Sequence, residues 1–202
     1  MIRFTKLLFL VAALAMAMES CEPAYAQQHA TLTAHPVETF DIVAYDACGH
    51  FAWERKTHNM LTTAGANIYL TDTITAGVSS PVWDMGLLYG TSAPTFATAD
   101  TMASNGWASG TGGGEVTTTQ VTNTVRPAIT FGSVSGGSVS NSGSVVVYTG
   151  NASVTLQGLF VANSSTLDGT TGTLLGEGTF TAAPIAAGYT INVTVTINVN
   201  AG

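Results

Sequence analysis

The apolar positions of this chain hold one period only over short distances, and each change of period marks an element. From Val37, "VETFDIVAY" alternates. Val37, Thr39, Asp41, Val43 and Tyr45 fall on one face, and Phe40, Ile42 and Ala44 on the other. The pattern resumes at Phe51 and Trp53 after "DACG". Two alternating runs about an Asp-x-x-Gly turn predict a β-hairpin. "HNMLTTAGANIYLTDTI" breaks the alternation: Leu61, Ala64, Ile68 and Leu70 sit at helical spacings, and Thr62 or Thr63 is placed to cap. One short helix is expected near residues 60–73, weakened at Gly65 by up to ~1 kcal/mol relative to alanine.

"PVWDMGLLYG" predicts a buried strand, with Trp83, Met85 and Leu87 alternating. A long loop follows, Pro94 to Gly110, "PTFATADTMASNGWASG". The glycines of "TGGGEV" then read as a flexible joint near residues 110–115. Beyond it the chain is β-rich: "EVTTTQVTNTVRPAITFGSV", "SGSVVVYTG", "ASVTLQGLFVA", "TGTLLGEGTFTA" and "YTINVTVTINVN". The last run places Ile191, Val193, Val195, Ile197 and Val199 on one face and Asn and Thr on the other. Runs rich in Val, Ile, Thr and Tyr, separated at short intervals by Gly/Ser/Asn/Asp turns, predict an antiparallel β-sandwich. Whether it is Ig-like or jelly-roll-like depends on strand order, to which periodicity is blind.

Composition narrows the function. Of 202 residues 46% are hydrophobic, so a core can form, and only 8% are charged, against roughly 25% in ordinary globular proteins. Five Lys and Arg against twelve Asp and Glu give a formal net charge of −7. Such a chain lacks the cations that neutralise a phosphate backbone, so nucleic acid is not an expected partner. Arg126 is the last basic residue, and Asp168 and Glu177 are the only acids after it. A surface solvated by hydroxyls and amides rather than by charge suits an assembled or exported protein better than a free cytosolic monomer.

The N-terminus bears on that choice. Arg3 and Lys6 precede the apolar run "LLFLVAALAMAM", which is too short to span a bilayer, and "AYA" ending at Ala26 fits signal-peptidase cleavage. Residues 1–26 thus read as a signal-like segment or as the product of a mis-assigned start, with Met18 as an internal alternative. Residues 27–36 read as a flexible lead-in and 37–202 as the β-rich domain. Cys21 falls in the first segment. If cleavage follows Ala26, Cys48 is the lone thiol, and the fold needs no disulfide framework.

The sequence holds little that looks catalytic. His50 and His58 lack the i,i+4 spacing of a helical metal pair and would need Asp46 or Glu54 to complete a zinc site. Cys48 reads as a surface thiol. Asp41, Asp46, Asp72, Asp84 and Asp100 are scattered; there is no G-x-S-x-G elbow, and the glycine-rich "GTGGGEV" lacks a P-loop lysine. No catalytic residue, metal site or cofactor is expected. Trp53 and Trp83 read as core aromatics, whereas Trp107, in a Gly/Asn loop, is the best exposed or interface-anchoring aromatic.

Several pieces together carry a resemblance: "YDACGHFAWERKTHNMLTTAGAN", "VWDMGLLYG", "PTFATADTMASNGW", "RPAITFGSVSGGSVSNSGSVVVYT" and the segment from "LQGLFVANSST" to "TVTIN". From Val37 to the C-terminus the chain resembles a group of small virion structural proteins of tailed bacteriophages, associated with head decoration, tails or fibres. The loop around Asp100, Met102 and Trp107 is the most specific part. The strand "WDMGL" departs from a W-Y-x-G-L pattern, and the signal-like N-terminus is not needed by a protein that assembles in the host cytoplasm. The resemblance implies a non-enzymatic role: a capsid decoration or auxiliary protein contacting other virion subunits and its own copies. The alternatives are a tail- or fibre-associated module that binds host glycans and an exported bacterial surface or periplasmic protein, which would meet the membrane only in transit. In the loop, Asp100 is expected to cap a turn, Met102 and Trp107 to fill an apolar gap or a neighbouring subunit's pocket, and Trp83 to contribute to loop ordering or an interface.

Overall fold

The computed structural model describes residues 35–74, 82–103 and 114–200, with backbone alone for 35–37, 69–74 and 199–200. The expectations for residues 1–34, including cleavage after Ala26, and for Trp107 lie outside the described residues. The described residues belong to one compact unit, Thr33–Gly202.

The architecture is a β-sandwich of two antiparallel sheets with one short helix, α1 (Thr63–Ile74). In the first sheet β1 (His35–Tyr45) lies between β2 (Phe51–His58) and β10 (Thr190–Asn200), so the first and last strands of the described residues pair along their whole length, from His35↔Asn200 to Tyr45↔Thr190. Two short strands share the other side of β10: β6 (Ser138–Ser140) and β7 (Val146–Thr149). Between them the buried Asn141 continues the ladder with its side chain, its Oδ1 accepting the Val195 N–H at 2.7 Å. The second sheet runs β3 (Met60–Leu61), β9 (Leu174–Ile185), β8 (Val154–Ala162), β4 (Asp84–Tyr89), β5 (Gly114–Glu115).

The alternating runs place their apolar faces as their period dictates. Phe40, Ile42 and Ala44 of β1 and Ile191, Val193 and Val195 of β10 are buried, and they meet Met85, Leu87, Leu156, Leu159 and Val161 of the second sheet. Each such side chain contributes about 1.5–3 kcal/mol through removal from water. Beyond β3, no strand among the described residues lies beside the edge of β9. Side chains of β2 bond its carbonyls instead: Trp53 Nε1 to Pro184 O (2.8 Å), Arg55 Nε to Thr181 O (2.9 Å) and Thr57 Oγ1 to Thr179 O (2.5 Å). These bonds tie the two sheets together and blunt an edge that would otherwise invite pairing with another chain.

Four expectations need correction. His35 and Pro36 belong to β1 rather than to the lead-in, because they pair with Asn200 and Val199. Leu61 belongs to β3, not to the helix, because Leu61 pairs with Gly176. The end of the glycine-rich joint is a strand: Gly114 and Glu115 pair with Tyr89 and Leu88, and Glu115 is buried. The run from Val116 to Val134 contributes only isolated bridges and turns, although its composition favours strand. Its polar side chains bond locally instead, as where Gln120 Oε1 accepts from Thr117 N and Thr117 Oγ1 at 3.0 Å each, and such bonds compete with a ladder.

Thr62 caps α1, its Oγ1 accepting the Gly65 N–H at 3.0 Å and donating to Leu174 O at 2.5 Å. Gly65 is what lets the helix lie on β9, since a Cβ there would stand 2.0 Å from the Leu175 carbonyl oxygen. Helix propensity alone favours Gly65→Ala by up to ~1 kcal/mol. The packing predicts the opposite sign, a loss of about 1–3 kcal/mol in chemical denaturation, because the helix must move off the strand.

Candidate functional site

The second sheet is covered on both faces, and its outer covering is the loop of residues 91–103. Leu88 of β4, Phe160 and Ala162 of β8 and Leu174 of β9 form an apolar patch turned away from the main core. Met102 (1% exposed) closes the patch and Phe96 packs against it. Gly86 leaves room for the Phe160 ring, which a Cβ at that position would meet at 2.2 Å.

The loop is tied down at three places. At its start, Gly90 N donates to Thr155 O (3.0 Å) and Gln157 Nε2 to Gly90 O (2.5 Å). In its middle, Thr98 O accepts from Thr63 N (2.8 Å) and Thr63 Oγ1 (3.1 Å), so the loop also satisfies the first turn of α1. Next to that, Asp100 closes a turn, its Oδ2 accepting the Ala97 N–H at 2.7 Å while its own N–H bonds Ala97 O at 2.9 Å.

Beneath Asp100 lies Glu177. In the β8–β9 ladder Glu177 stands opposite Phe160, and it is 0% exposed. Neither of its carboxyl oxygens receives a hydrogen bond from a protein donor. Burial, followed by the neighbouring Asp100 carboxyl, pushes Glu177 up to about 9. Burial beside a second carboxyl disfavours the charged form, so at neutral pH Glu177 keeps its proton.

A second buried polar group braces the same layer. Arg126 Nε and Nη2 reach Glu115 Oε1 and Oε2 at 2.7 Å each, a bidentate pair with both side chains out of contact with water. Two further guanidinium donors bond Ser164 O (2.7 Å) and Gly169 O (2.9 Å), and Cζ lies 5.0 Å from the Phe160 ring centroid. Glu115 also accepts the Asp168 N–H at 2.8 Å. Burial raises Glu115 above the usual carboxylate range, with Arg126 pulling it back, and burial likewise raises Asp84 against the pull of Arg126. On the inner side of the sheet the Tyr148 hydroxyl donates to Met85 O, and burial holds it well above its ordinary range.

The arrangement fastens backbone segments to a sheet. General acid–base catalysis on a glycoside needs two carboxyls facing a substrate across a cleft. Here Asp100 and Glu177 face each other, and Glu177 is sealed. Of the residues singled out in the sequence, the structure brings Asp100 and Met102 together over Phe160 and Glu177. Trp83 is elsewhere: it packs half-buried against the main core, and its carbonyl accepts the Ile129 N–H at 2.7 Å. His50 and His58 are not partners. His58 Nδ1 is 3.2 Å from Thr39 Oγ1, and His50 stands with Asp46. Glu177, Glu115 and Arg126 were missed as site residues. Two of them carried a signal, Glu177 as a lone acid between two glycines inside an apolar strand and Arg126 as the last arginine of a chain with few charges; Glu115 carried none.

No protein-family model matches the chain, and no curated protein matches it either.

Removing one partner of a buried pair strands the other's charge. Arg126→Ala is therefore expected to cost about 3–5 kcal/mol, with Arg126→Met/Glu115→Leu recovering most of it; equilibrium denaturation measures both.

A second expectation concerns pH. Because the folded-state pKa of Glu177 is raised, the native state holds one more proton than the unfolded chain between about pH 4.5 and about 9. Stability from this group is full below that window, falls across it and levels off above. Glu177→Gln removes the titration. Relative to the parent, the variant should gain on the order of a few kcal/mol by pH 9. Thermal melts of both proteins at pH 5, 7 and 9 check it; parallel curves would refute it.

Proposed function

We propose that the chain is a non-enzymatic structural protein of a bacteriophage particle, a decoration or auxiliary subunit that stabilises a capsid. One observation carries the reading. The loop on which the resemblance to virion proteins is most specific, around Asp100, Met102 and Trp107, includes Asp100 and Met102, through which it is clamped to the outer face of the second sheet. The acids and the base of that layer, Glu115, Arg126 and Glu177, are each buried to 3% exposure or less, and they join backbone segments rather than face solvent. A rigid sandwich whose exterior is Thr, Ser and Asn rather than charge fits lateral contact with other virion subunits and with copies of itself. Each bound copy would favour the assembled shell by mass action.

A second reading, a tail- or fibre-associated module for host glycans, draws on Phe51, which is 63% exposed at the end of the β1–β2 hairpin and offers a stacking face. The third, an exported bacterial surface or periplasmic protein, draws on the signal-like N-terminus.

Mass spectrometry of purified particles, alongside periplasmic and culture fractions, separates these. The virion reading expects the chain in particles at a fixed copy number, and expects particles lacking it to release their contents at lower temperature. A chain that begins at Gln27, is found in the periplasm or medium and is absent from particles would overturn it.

A further inference from the structure

The β1–β2 turn brings together three unlike metal donors that the sequence reading had not grouped: Asp46, Cys48 and His50. One ligand atom from each, a carboxylate oxygen, a thiol sulfur and an imidazole nitrogen, lies within 4.8 Å of the other two. We propose that this D-x-C-x-H turn is a binding site for a borderline divalent transition metal, Zn2+ in particular.

The separations fit that ion. Zinc takes nitrogen and oxygen ligands at about 2.0–2.2 Å in a tetrahedron, which sets two such ligands roughly 3.3–3.5 Å apart. His50 Nδ1 and Asp46 Oδ2 are 3.3 Å apart. The thiolate, at about 2.3 Å from the ion, sits slightly farther from each. Cys48 is exposed, so its side chain is free to turn into place. Water fills the fourth position, as in zinc sites with three protein ligands.

The turn is held in the required shape without the metal. Asp46 Oδ1 accepts the N–H groups of Cys48 (2.8 Å) and His50 (2.9 Å), which leaves Oδ2 to point at the imidazole. Asp46 N bonds His50 O at 2.8 Å and Gly49 N bonds Asp46 O at 2.9 Å, with Gly49 at φ 82°, a conformation that glycine adopts without strain. Ala47 rests on the turn between β9 and β10, where a Cβ at Gly188 would come within 2.8 Å of its methyl group. The donor set selects the metal: a thiolate and an imidazole favour zinc or copper over the hard cations magnesium and calcium, which take oxygen ligands.

Cobalt(II) reports such a site directly. The purified, reduced chain is titrated with Co2+, and Zn2+ is then added in competition. The proposal expects saturation at one equivalent, a near-ultraviolet thiolate-to-cobalt charge-transfer band, and visible bands of tetrahedral intensity that Zn2+ abolishes. Cys48→Ser should remove the charge-transfer band. His50→Ala should weaken binding by at least about tenfold, since loss of a ligand costs no less than loss of an outer-shell partner. His58→Ala should change nothing. Because the turn is exposed, melting curves of the variants should match the parent, which separates lost ligation from lost folding. A parent titration without the charge-transfer band, or a band that survives Cys48→Ser, or binding removed by His58→Ala, would overturn the proposal. Those results would leave Asp46 and His50 as a surface ion pair.

Discussion

The second sheet must be dry on both faces, and most of this structure follows from that requirement. β4, β8 and the first half of β9 bury nearly every residue, so one face builds the sandwich core and the other needs a cover. Among the described residues no third sheet supplies it. The cover is irregular chain, residues 91–103 and the segment after β5, and irregular chain brings backbone polar groups that must find partners once water is excluded. The hydrogen bonds of Gly90, Thr98 and Asp100, and the four groups gathered by Arg126, answer that demand.

Glu177 and Arg126 meet the demand by different physics. Arg126 satisfies its charge with a bidentate carboxylate and gives two further donors to carbonyls of the loop between β8 and β9, so it locates that loop as much as it stabilises it. A buried pair of this kind is costly to desolvate, and its benefit is a unique placement of segments that have no regular structure of their own. Glu177 has no cation. It avoids the cost of desolvating its charge by staying protonated, beneath a loop that Asp100 closes by accepting the Ala97 amide.

The proposed metal turn lies on the other sheet, at the end of the hairpin, and draws on none of these groups. Its donors come from five consecutive residues and its shape from local hydrogen bonds and one glycine. A structural subunit and a surface metal site can therefore coexist in one chain without competing for the same residues.

What the sequence by itself determined is local. The alternation in β1 and β10, the hairpin about "DACG", the threonine cap and the burial of the "WDMGLL" strand are all set by periods and turn chemistry that operate within a few residues. Strand against turn in residues 116–134 went the other way, because threonine and glutamine there bond their own backbone, and composition does not register that competition. The tertiary structure alone decided which face of the second sheet needed a cover, why Gly65 had to be small, and how Asp100 came to meet Glu177 and Arg126 to meet Glu115. Each of these depends on elements far apart in the chain being placed side by side. A carboxyl between two glycines in an apolar strand marks itself out in the sequence, but only a loop from elsewhere in the chain shuts it away from water.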